Sequence, residues 1–87
     1  MNTASQIANA NNAADLLAIW PVVRDLNRAL HNRGGVSPSV RPYDETEKAA
    51  RRVVLAWKRK AKAVAGFASN EKPVDAVVVY ILQKSVA

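Results

Sequence analysis

PVDAVVVYILQKSVA, residues Pro73–Ala87, is the stretch on which the fold class turns. Its run of valines favours a strand, because branching at Cβ suits the pleated surface of a sheet. Its spacing favours a helix. Val74, Val77, Val78, Ile81 and Leu82 recur at i, i+3, i+4, i+7 and i+8, which gathers them on one helical face. A strand also needs a neighbour to satisfy its backbone N–H and C=O groups, and no other segment reads as one. The stretch is therefore predicted to be helical, and the whole chain becomes all-α. Val79 and Tyr80 are left outside the stripe. Surplus apolar side chains on a small domain are a route to a symmetric dimer, so these two are the expected self-association residues, with a homodimer as the alternative to a monomer.

Working back from this stretch, SNEKP (Ser69–Pro73) reads as the segment that closes one helix and opens the next, its proline suited to the first helical position. Before it lies the best-signposted helix. Asp44 is placed to cap its free N–H groups, Glu47 stands at capping-box spacing, and Glu45 and Glu47 occupy the first turn, where the helix dipole favours carboxylates. At 100° per residue, Ala50, Val53, Val54, Trp57, Ala61, Val64 and Ala68 share one arc. Lys48, Arg51, Arg52, Arg59 and Lys62 share the opposite one, which Leu55 alone interrupts.

VSPSVRPY (Val36–Tyr43) has two prolines and no period, and is predicted to be an ordered connection in extended or turn conformation. Upstream of it, Leu16, Ile19 or Trp20, Val23, Leu26 and Leu30 recur at helical spacing, with Gly34-Gly35 as the expected C-cap. Pro21 removes a backbone donor and crowds the carbonyl of Leu17, so a short turn at 13–19 is predicted to kink into a main helix from Pro21 to about Asn32. Thr3 and Gln6 have capping-box spacing, but Asn9, Asn11 and Asn12 are poor helix formers, and residues 1–12 are predicted to be a flexible lead-in. The expected architecture is a single helical domain over 13–87. Three helices pack around Leu16, Trp20, Val23, Leu26, Leu30, Val53, Val54, Trp57, Val64, Val77, Val78, Ile81 and Leu82.

Composition narrows the function classes. Eighty-seven residues suit one small domain, and 49% apolar with 23% charged residues is a globular balance. There is no cysteine, hence no disulfide framework and no thiolate metal site, which fits a cytoplasmic location. No apolar run is long enough to span a bilayer, and the first residues lack the charge and apolar core of a secretory signal. His31 is the one histidine, and its place near a helix C-terminus gives it a favourable dipole contact. No nucleophile, base and orienting group can be assembled around it. Gly34-Gly35 lacks the preceding strand and following Lys-Ser/Thr of a phosphate loop. Neither catalysis, a cofactor nor a metal is expected.

Charge points elsewhere. Thirteen Lys and Arg against seven Asp and Glu give +6 and a pI near 10.2. The excess is concentrated in Lys48, Arg51, Arg52, Lys58, Arg59, Lys60 and Lys62, a run with no carboxylate. A solvated helix face usually mixes signs, and the like-charge pairs Lys48/Arg52 and Lys58/Lys62, four residues apart, oppose helix formation. The expected contact residues are Lys48, Arg51, Arg52, Lys58, Arg59 and Lys62, joined by Arg41, with Arg24, Arg28 and Arg33 extending the field. The partner expected first is nucleic acid, DNA or RNA, held by its backbone. Gly66–Pro73 is too long for the tight turn of a helix-turn-helix, and the last helix is too apolar to read bases. The alternative is a phage or mobile-element type of inhibitor or adaptor that occludes an acidic or nucleic-acid-binding surface of another protein. A membrane partner is not expected, because Trp57 is needed in the core. Trp20 and Trp57 are expected to meet there, leaving Tyr43 and Tyr80 as the exposed aromatics.

Overall fold

The computed structural model describes residues 3–32 and 36–86, and these form four α-helices with no strand among them. They are α1 (Thr3–Asn9), α2 (Ala13–His31), α3 (Glu45–Val64) and α4 (Asp75–Val86). The ambiguous valine-rich stretch is thus a helix. Helices α2 and α3 form the central pair; α1 and α4 each touch both of them but not each other.

Trp57 is the largest fully buried side chain, 0% exposed, in a core it shares with buried Ile7, Leu16, Val23, Val54, Ala61, Val78 and Leu82. Its ring stacks on that of Trp20 at 4.6 Å between centroids, the offset contact that aromatic quadrupoles favour. Its indole N–H donates to the carbonyl of Leu16 at 3.0 Å. Pro21 lies within α2, which runs unbroken over nineteen residues. Proline deprives the Leu17 carbonyl of its helical donor. The neighbouring Leu16 carbonyl gains one from α3, which ties the two central helices together across the proline turn.

Each terminus that local chemistry specifies is built as its residues dictate. The Asn12 side chain accepts from the Asp15 N–H at 2.9 Å and opens α2. Asp44 and Glu47 form a complete capping box at α3: Asp44 Oδ1 accepts from the Glu47 N–H at 2.8 Å, and Glu47 Oε1 accepts from the Asp44 N–H at 3.1 Å. In the connection before it, the Val40 and Arg41 amides both donate to the Ser37 carbonyl. The predicted Gly34-Gly35 cap, and Arg33 with it, lie outside the described residues.

Several expectations are corrected. First, the fold has four helices and not three: residues 3–9, read as lead-in, form α1, and Ile7 is 2% exposed within the core. Second, α3 stops at Val64, short of Ala68. Gly66 takes φ +94°, a conformation that is inexpensive only without a Cβ. Its amide donates to Ala63 while the Phe67 amide donates to Lys62, the paired closure of a Schellman motif, with Phe67 folded back on the core. Third, α4 is rotated by about one residue from the predicted stripe. Val78 and Leu82 are buried as expected, but Val79 packs on the core while Val77 is 44% exposed. Val64, also assigned to the core, is exposed. Helix α4 is apolar around most of its circumference, so hydrophobicity alone leaves its rotation open. An ion pair from Lys58 on α3 to Asp75 at 3.5 Å adds a polar constraint on that side.

Candidate polyanion interface

The basic run lies along α3, and the fold divides it by residue type. The four lysines are committed internally. Lys60 Nζ donates to the carbonyls of Ile7, Ala8 and Ala10 at 2.8, 2.7 and 2.9 Å. An ammonium has three donors, and all three are used to close the C-terminal end of α1. Lys62 Nζ donates to the carbonyls of Ser69 and Glu71, both at 2.7 Å, and so fastens the connection between α3 and α4. Lys58 pairs with Asp75, and Lys48 reaches Glu45 at 3.4 Å in the first turn. Arg41 lies 3.5 Å from Glu47.

The three arginines of α3 are the remainder. Arg51, Arg52 and Arg59 are exposed, and none forms a hydrogen bond or ion pair within the described residues. Arg52 and Arg59 are seven residues apart, about 10 Å along the helix axis, and nearly on one line; Arg51 stands about 100° around from Arg52. Beyond Glu47 the helix carries no carboxylate. The result is a ridge of guanidinium groups, each offering a planar fork of donors that matches a phosphate or carboxylate in bidentate fashion. Because these groups are solvated and flexible, an anion can engage them without first breaking an internal bond.

Residues outside the ridge take simpler roles. The ring nitrogen Nδ1 of His31, the last residue of α2, donates to the Asn27 carbonyl at 2.8 Å and is exposed. Arg24 lies 3.8 Å from Asp25 at the surface, while Arg28 is exposed without a partner among the described residues. Tyr43 is half-buried. Tyr80 is 58% exposed, with the Lys84 ammonium 5.4 Å from its ring centroid. Trp57 is buried, and Trp20, stacked on it, is half-buried. Lys60 was missing from the sequence-derived set for a legible reason: it falls on the flank of the apolar arc, off the basic one.

Beside the ridge, a cleft of about 300 Å³ opens between α3 and the residues leading into α4. Its apolar lining comes from Leu55, Pro73 and Val78, and Arg59 and Lys72 stand at its edge. No described helix is long and apolar enough to cross a membrane. No protein family matches the chain, and neither does any curated protein or solved structure.

Proposed function

We propose that the protein binds nucleic acid through the phosphate backbone, without base readout, using Arg51, Arg52 and Arg59 on the outer face of α3. The observation that carries this reading is the division of labour on that helix: its lysines each hold a partner within the protein, whereas its arginines are exposed and unpaired among the described residues. If the charges served only to keep the face solvated, a mixture of signs would give the same solubility without the repulsion between like charges. A guanidinium ridge on a rigid twenty-residue helix supplies counterion release and little sequence discrimination, since phosphate contacts carry no base information. Lys48, Lys58, Lys62 and Arg41 add to the local positive field while holding their internal partners.

The test is a charge reversal that spares the fold. Arg52→Glu combined with Arg59→Glu removes two exposed groups that hold no hydrogen bond or ion pair among the described residues, so helix content and melting should be unchanged. Fluorescence anisotropy with a labelled duplex should then show binding lost. Retained affinity in the folded double variant would remove the ridge from the account. Self-association, the other surface role, passes from Val79, which packs on the core, to Val77, exposed one turn from Tyr80 on α4. Sedimentation at micromolar concentration separates a dimer through them from isolated surface side chains.

A further inference from the structure

The cleft beside the ridge has its own chemistry. Its floor is apolar: Leu55 interrupts the basic arc of α3 and points its side chain here, opposite Pro73 and Val78, with Trp57 beneath. Trp57 is 0% exposed, so it offers no ring face to a ligand. Six charged residues line the opening: Lys58, Arg59, Lys62, Lys72, Glu71 and Asp75. Four of them are spoken for. Lys58 and Asp75 pair with each other, Lys62 holds two backbone carbonyls, and Glu71 Oε1 accepts from the Ala68 N–H at 3.2 Å. Arg59 and Lys72 remain without an internal partner among the described residues, both exposed.

An apolar hollow edged by two unsatisfied cations complements one kind of occupant. We propose that this cleft docks an acidic peptide segment of a partner protein, with an aliphatic side chain seated on Leu55, Pro73 and Val78 and flanking carboxylates meeting Arg59 and Lys72. Burial of an aliphatic anchor supplies the affinity, and the cations supply its charge selection. A nucleobase fits less well: the floor presents no ring for stacking, and the uncommitted polar groups at its edge are cations that cannot accept the hydrogen bonds of base amino groups. The site stands independently of the nucleic-acid reading, although Arg59 borders both.

Methyl chemical-shift mapping tests it, with a capped oligoglutamate peptide carrying one central leucine as the probe. The Leu55 and Val78 methyls should shift saturably. Replacing the probe's leucine by serine should weaken binding about tenfold, the equivalent of losing one buried aliphatic side chain. Lys72→Glu, at an exposed and unpaired position, should weaken it about fivefold and leave duplex affinity nearly unchanged. Arg52→Glu should do the reverse, so that failure of either site is read separately. Equal binding of the serine probe, or no methyl shifts, would overturn the proposal. So would a thymidine oligonucleotide that moves the same methyls where the leucine probe does not, since the cleft would then hold a nucleobase.

Discussion

Lys60→Met isolates the contact that holds α1 in place. The substitution keeps most of the stem length and removes the ammonium that three carbonyls share at 2.7–2.9 Å. A hydrogen bond to a charged group contributes about 1.5–3 kcal/mol, but water can replace the ammonium at the exposed Ala8 carbonyl. The net loss is therefore about 2 kcal/mol for the set. Helix α1 has little else. Its seven residues are below the length at which a helix persists alone. Beyond Lys60, burial of Ile7 contributes about 2–3 kcal/mol. The expected outcome is local undocking. Amides of Ile7 to Ala10 should lose roughly thirtyfold of their hydrogen-exchange protection, while α2, α3 and α4 stay protected and polyanion affinity is retained. Unchanged exchange in α1 would show that Lys60 is not its anchor, and a collapse of protection throughout would show that α1 is not separable.

Two further substitutions test the packing. Gly66→Ala introduces a Cβ with nothing within 4 Å at φ +94°, so its penalty is purely conformational, about 1–2 kcal/mol by urea denaturation; a much larger loss would mean crowding that the geometry does not contain. Trp57→Ala removes the ring stacked on Trp20 and its hydrogen bond to Leu16, and should cost about 3–5 kcal/mol, enough to leave a domain of this size largely unfolded by circular dichroism. A folded, cooperative variant would contradict the central place given to that ring.

What could be read from the sequence was what neighbouring residues decide among themselves. The start of α3 was legible because Asp44 and Glu47 satisfy each other across three residues. The burial of Trp57 followed from a clean arc of apolar side chains. The end of α3 was obscured because Val64 and Ala68 continue the apolar spacing past Gly66, and the glycine's positive φ outweighs that spacing. The rotation of α4 was not legible, because valines on several of its faces compete for the core and the choice rests on packing against α2 and α3. Helix α1 was hidden for a related reason: Asn9, Asn11 and Asn12 at and after its C-terminal end argue against a helix, and what holds it is Ile7 in the core and an ammonium more than fifty residues away. The basic face was visible as a period. Which of its cations were already occupied was not, since periodicity gives a side chain's direction and not the carbonyl it meets.

The salt dependence of duplex binding tests the arginine ridge most directly. If Arg51, Arg52 and Arg59 each neutralise one phosphate, a plot of log K against log salt should have a slope of about −3, shallower than the −4 to −5 that five free cations would give. The Arg52→Glu, Arg59→Glu pair should abolish that slope along with the binding, and the wild-type slope should be the same for duplexes of unrelated sequence. A flat salt response, or no binding at low salt, would contradict the account and leave the ridge a solvated helix face.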